Sequence, residues 1–116
     1  MDIIAIVANA LDEVSKRGIV VVQGWYDKNI KDTHITFCQL SDRTNNTSDD
    51  EEEEAQYIIQ VDIWSEKDEF KLKKEVKKLM LKSDFGYLDG QDFFENDTKI
   101  HHKALRFNFI EVMEGN

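Results

Sequence analysis

Apolar residues recur with helical spacing in two parts of the chain. Between Asp2 and Arg17 they return every three to four positions, which predicts an amphipathic helix that Asp2 caps and Gly18 follows. The same spacing follows Ser65 and runs to about Ser83, where it predicts a second helix. The predicted buried stripes are Ile4, Val7, Ala8, Leu11 and Val14 in the first helix, and Phe70, Leu72, Val76, Leu79 and Met80 in the second.

Strand patterns occupy most of the remaining chain. Residues 56–64 alternate strictly, and Tyr57, Ile59, Val61 and Ile63 form the face that we expect to pack on the core. Further strands are predicted at 19–22, as a buried strand, and at 34–40, 91–95 and 99–113. This order predicts one α+β domain over residues 1–116, in which two helices pack on an antiparallel or mixed sheet of four to five strands.

Residues 41–55 have a different character. They are polar and end in six consecutive acids, Asp49, Asp50, Glu51, Glu52, Glu53 and Glu54. Because such a run cannot be buried, we expect a long, mobile acidic loop between two strands. Two roles are compatible with the run: a solvated loop, or a partner-contact loop that becomes ordered against a basic surface.

Composition limits the function classes. The net charge of the 116 residues is -9, and residues 42–54, with seven acids and one arginine, hold -6 of it. This balance disfavours nucleic acids and anionic membranes as partners, because both attract clustered Lys and Arg. The chain has no apolar run of membrane-spanning length and no signal-peptide pattern at its start, so a cytoplasmic location is expected.

Residue chemistry predicts no catalytic residue, cofactor or metal site. Cys38 and His34 share a strand face but lie about 13 Å apart, too far for a nucleophile and its base, so Cys38 is expected to be a core residue. His101 and His102 are neighbours on a strand and point to opposite faces, which favours solvated histidines over a metal pair. The acidic run lacks the spacing and the glycine of a calcium loop. The sequence therefore predicts a protein that is not an enzyme.

Three residues on the less apolar strand faces are candidates for an assembly surface. Asp62 and Trp64 lie on the second face of the strand at 56–64, and Arg106 lies on the corresponding face of the last strand. A large aromatic residue beside charges indicates either the rim of the core or a surface for assembly. Both interpretations stay open on the sequence alone.

The segment from Tyr57 to Leu81 resembles a known family. The strand reads Gln60-Val-Asp-Ile-Trp-Ser65 and passes straight into an amphipathic helix, which is followed by Phe85-Gly86 and a final strand containing Arg106-Phe107. This arrangement is similar to that of the tail terminator or head–tail joining (tail completion) proteins of long-tailed phages and prophages. The resemblance covers about half of the chain. The first 45 residues match only in the order of their elements, and the six-acid run is not a feature of that group.

The resemblance implies a function without a cofactor. It implies a virion protein, assembled in the bacterial cytoplasm, that forms a ring, expected to be a hexamer, with the tail tube on one face and the head connector on the other. Two alternatives stay open. One is another component of the neck or the tail tube, and the other is a cytoplasmic acidic regulator or inhibitor.

Overall fold

Eight helices and strands follow one another along the chain. The computed structural model describes residues 2–46 and 52–114, and these contain three helices and five strands. The helices are α1 (Ile3–Ala10), α2 (Asp12–Lys16) and α3 (Phe70–Lys82). The strands are β1 (Val20–Gln23), β2 (His34–Asn46), β3 (Glu52–Ser65), β4 (Gly86–Glu95) and β5 (Ile100–Glu114).

The five strands form one mixed sheet. Their spatial order is β1-β2-β3-β5-β4, in which β1 pairs with β2 in parallel and every other pair is antiparallel. The central strand β3 is therefore covered by neighbours on both edges, whereas β1 and β4 are edge strands. The predicted α+β class, with helices on a mixed sheet, is confirmed.

The helices cover the first face of the sheet, which carries the core. Ile59, Val61 and Ile63 of β3 are buried there as predicted, and Tyr57 packs against the cluster while partly exposed. The same cluster includes Ile35 and Phe37 of β2, Leu105 and Phe107 of β5, and Val7, Leu11, Leu72, Val76 and Met80 of the helices. The strict alternation in β3 sets which face is buried, because a shift of one residue would turn every apolar side chain outward.

The first helical segment differs from its prediction in one respect. Asp2 accepts a hydrogen bond from the Ala5 backbone N–H at 3.1 Å, as its capping role requires, but the helix breaks at Leu11 and continues as α2. The break changes the buried set. Ala8 is exposed, whereas Ile3 and Ala10 are buried.

The second helix begins later than predicted. It starts at Phe70, whose ring is exposed rather than buried, so the stripe is formed by Leu72, Val76 and Met80. Asp68, just before the helix, forms an ion pair with the buried Lys103 ammonium at 2.7 Å. Burial pulls the pKa of Lys103 down, but Asp68 and Asp92 together raise it above its usual value, so this lysine stays charged.

The predicted loop over residues 41–55 is wrong where the structure describes it. β2 continues to Asn46 and β3 begins at Glu52; the two strands pair with each other, and β3 also pairs with β5. Glu52, Glu53 and Glu54 therefore belong to a strand, whereas Asp49, Asp50 and Glu51 lie outside the described residues. A strand is defined by its paired backbone groups and not by burial of its side chains, and this is why composition alone was misleading.

The paired extension forms an arm. We define the arm as residues 41–46 of β2, 53–58 of β3 and 108–114 of β5. The sheet has three strands here, because the pairing of β4 with β5 ends at Asn108 of β5. The described residues extend over 54 × 28 × 23 Å. Ile110 and Val112 are half-exposed on this arm, so it presents apolar as well as acidic groups.

Candidate functional site

The second face of the sheet is buried at its centre, contrary to its polar sequence. Gln60 is 6%, Asp62 0% and Trp64 3% exposed. The segment after β1 causes this burial, because it turns at Gly24, with a φ of 136°, and lays Trp25 and Tyr26 over the sheet. The ring centroids of Trp25 and Tyr26 lie 5.2 and 5.0 Å from that of Trp64.

A chain of hydrogen bonds links the two strands β3 and β5 on this face. Arg106 Nε donates to Gln60 Oε1 at 3.1 Å, and Gln60 Nε2 donates to Asp62 Oδ1 at 2.8 Å. His102 Nε2 lies 2.6 Å from the same Asp62 oxygen. Gln60 is the register partner of Arg106, and Asp62 and His102 lie diagonally across β3 and β5, so the antiparallel pairing places all four groups.

Trp64 is fixed by two contacts. Its indole N–H donates to Thr36 Oγ1 at 2.9 Å, and its ring stacks on His102 with centroids 3.7 Å apart and an angle of 11° between the planes. Thr36 is fully buried. A buried indole N–H normally requires an acceptor, and the hydroxyl of Thr36 supplies it.

Two buried polar atoms on this face have no hydrogen-bond partner among the described residues. They are Asp62 Oδ2 and His34 Nε2. The other ring nitrogen of His34 lies 3.0 Å from the Asp32 carbonyl oxygen. Buried polar atoms without partners are uncommon in folded proteins and concentrate at functional positions.

A pocket of about 510 Å³ opens beside this hydrogen-bond chain. Ala104 lies in its floor, where a small side chain between Arg106 and His102 on β5 leaves space. Trp25 and Phe93 contribute aromatic walls, and Gln60 and Arg106 contribute polar groups. The volume lies in the range of small-ligand sites, and the mixture of aromatic walls with a few oriented polar groups is typical of them.

The sequence placed Asp62, Trp64 and Arg106 on one face, and the structure agrees with that placement. Asp62 and Trp64 are buried within the chain and offer no surface to a partner, whereas Arg106 is exposed. The expectation that His102 is solvated is wrong: it is 8% exposed, because Trp64 stacks on it. His101 is half-buried beside Phe94.

Cys38 lies half-buried on this second face rather than in the core, which corrects its prediction. Burial raises the pKa of its thiol, and the nearby charge of Asp62 raises it further. A thiol with a raised pKa is mostly protonated at neutral pH and is a weak nucleophile.

Trp25 and Ala104 were missed by the sequence reasoning. Trp25 follows Gly24 in a segment without a clear period, and only the pairing of bend glycine and large aromatics hinted at a covering segment. No sequence pattern pointed to Ala104, because its role depends on the space that its small side chain leaves.

Within residues 2–46 and 52–114, no group of three or more His, Cys, Asp or Glu side chains could hold a metal ion. Over the same residues, every helix is too short or too polar to cross a membrane. Comparison with known proteins finds no protein-family model that matches the chain and no curated protein that matches it significantly in sequence.

Proposed function

We propose that this protein is a structural virion protein that caps the tail tube of a long-tailed phage or prophage particle and joins it to the head connector as a ring, expected to be a hexamer. The proposal begins from the resemblance of residues 57–81 to tail terminator proteins. In the structure this segment is the continuous passage from the central strand β3 into α3.

The observation that carries the proposal is the pair of open sheet edges. β1 forms one edge and β4 the other, and each carries exposed large apolar side chains: Val20 and Val22 on β1, and Leu88 on β4. Exposed edges of this kind pair readily with other chains. Because the two edges differ and lie on opposite sides, contact between them is heterologous, and repeated heterologous contact forms a ring when the rotation between copies closes.

The arm supports a contact with a second kind of partner. It extends the sheet past β4 and carries the half-exposed Ile110 and Val112. Glu54, one of the six predicted partner-contact acids, is exposed on its β3 strand. An acidic surface with apolar groups fits a basic, partly apolar site on a tube or connector protein.

The test measures assembly and its dependence on the β4 edge. Native mass spectrometry of the protein, alone and mixed with purified tail tubes, should detect a closed oligomer or a complex on the tubes. A chain that remains monomeric with tubes present and does not bind them would contradict the proposal.

Two matched substitutions locate the interface. Leu88 on β4 is 49% exposed and Leu81 on α3 is 44% exposed, so lysine at either position costs little in the isolated chain. We expect Leu88→Lys to abolish assembly and Leu81→Lys to leave it intact. Equal effects of the two substitutions would contradict an interface at the β4 edge.

A further inference from the structure

We propose that the pocket over Ala104 is a binding site for a planar apolar group that carries a carboxylate. This chemistry occurs in a free aromatic acid and in a protein segment with an aromatic residue beside an acidic one. The inference concerns a small-ligand-sized pocket and does not rest on the proposed role in virion assembly.

Buried polar side chains orient Arg106. Its Nε is held by Gln60, which is 94% buried and is itself held by the fully buried Asp62. The structure shows no ion pair and no second side-chain hydrogen bond from Arg106 to any described residue. Arg106 lines the pocket, and a guanidinium fork matches a carboxylate with two parallel hydrogen bonds.

The centre of the pocket is apolar. Ala104 leaves the depression, and the Trp25 and Phe93 side chains, 55% and 47% exposed, border it. The ring of Phe93 lies 5.4 Å from that of His102, which is stacked in turn on Trp64. Aromatic walls supported in this way favour a flat apolar group, because offset and edge-to-face contacts between rings are favourable.

Two acidic residues, Asp89 and Glu95, also line the pocket. Glu95 accepts a hydrogen bond from Thr98 Oγ1 at 3.2 Å, which turns its carboxylate toward the following turn. Asp89 is the register partner of Arg106 and lines the same pocket, so its negative charge opposes a bound carboxylate. An anionic ligand should therefore bind more tightly when Asp89 is neutral, whereas a cationic ligand should bind more weakly.

The test uses N-acetyl-L-phenylalanine as the probe and its amide as the control without a carboxylate. Binding is followed by the NMR signals of the Trp25 indole N–H and the Arg106 Nε–H, with the buried Trp64 indole as an internal reference. We expect saturable binding of the acid and at least about tenfold weaker binding of the amide, since a charge-assisted pair contributes about that factor. Equal binding of the two probes, or no shift at either signal, would overturn the proposal.

Three variants test the residues. Arg106→Gln should weaken binding of the acid at least about tenfold, and Asp89→Asn should strengthen it. Arg43→Gln makes the same charge change on the arm, away from the pocket, and should leave binding unchanged. Weaker binding of the acid in Asp89→Asn would refute the inference. Thermal unfolding of each variant verifies that it is folded.

A blocked dipeptide distinguishes the two sources of the ligand. Acetyl-Glu-Phe-amide offers the carboxylate from a side chain beside the aromatic ring. Binding at least as tight as that of the free acid supports a protein segment as the ligand, whereas binding of the free acid alone supports a small aromatic acid. Failure of both would overturn the inference while leaving the assembly proposal untouched.

Discussion

The hydrogen bond between Trp64 and Thr36 should stabilise the second face of the sheet measurably. Thr36→Val keeps the shape of the side chain but removes the hydroxyl that accepts the indole N–H at 2.9 Å. Thr36 is 0% and Trp64 3% exposed, so water cannot replace the lost acceptor. A buried donor left without a partner costs about 1–3 kcal/mol, and we expect a loss of about 2 kcal/mol in the free energy of unfolding.

Urea unfolding measures this loss. With a slope of about 1–3 kcal/mol per molar urea, a loss of about 2 kcal/mol lowers the midpoint by roughly 1 M. Thr44→Val is the matched control, because Thr44 lies on the same strand and is exposed. It should change the free energy of unfolding by no more than about 0.5 kcal/mol.

A double-mutant cycle assigns the loss to the hydrogen bond itself. In a Trp64→Phe background the donor is absent, so Thr36→Val should cost about 1–2 kcal/mol less than in the natural chain. If Thr36→Val alone costs under about 0.5 kcal/mol, or costs the same in both backgrounds, the reasoning about Trp64 is refuted.

Three further substitutions test other parts of the fold. Glu75→Gln should destabilise the protein at neutral pH and not at low pH. The hydrogen bond from Arg17 lowers the pKa of Glu75, so the stability that this pair contributes is lost as the pH falls through the lowered value. Urea unfolding at several pH values checks this, and a difference in the free energy of unfolding that does not change with pH would contradict it. Met80→Ala should lower the free energy of unfolding by about 2–5 kcal/mol, since Met80 is fully buried. Leu81→Ala, on the exposed side of α3, should lower it little, and similar losses for the two variants in thermal or urea unfolding would mean that α3 packs differently. Gly24→Ala should cost about 1–3 kcal/mol, because a φ of 136° strains any residue with a Cβ, and an unchanged midpoint would contradict this conformation.

The first face of the sheet could be predicted because its signal is periodic. Alternation in residues 57–63 identified the buried side of β3, and helical spacing located the later helix apart from its start. The helix starts at Phe70, and Asp68 before it forms an ion pair with Lys103 from a distant strand. No local pattern reveals such a long-range ion pair.

The second face could not be predicted for the same kind of reason. Its residues are polar, and their burial comes from Trp25 and Tyr26, which the chain folds over them from another segment. The length of β2 and β3 was also missed, because the acidic composition of residues 41–55 described the side chains and not the backbone pairing with β5. Tertiary contacts determined both outcomes.

Electron microscopy of tail tubes incubated with the labelled protein tests whether it caps the tail. We expect label at one end of each tube, in a ring whose averaged images show sixfold symmetry, and loss of that ring with Leu88→Lys. Label distributed along the tubes would indicate a tube subunit instead, and unlabelled tubes would contradict a role in capping the tail.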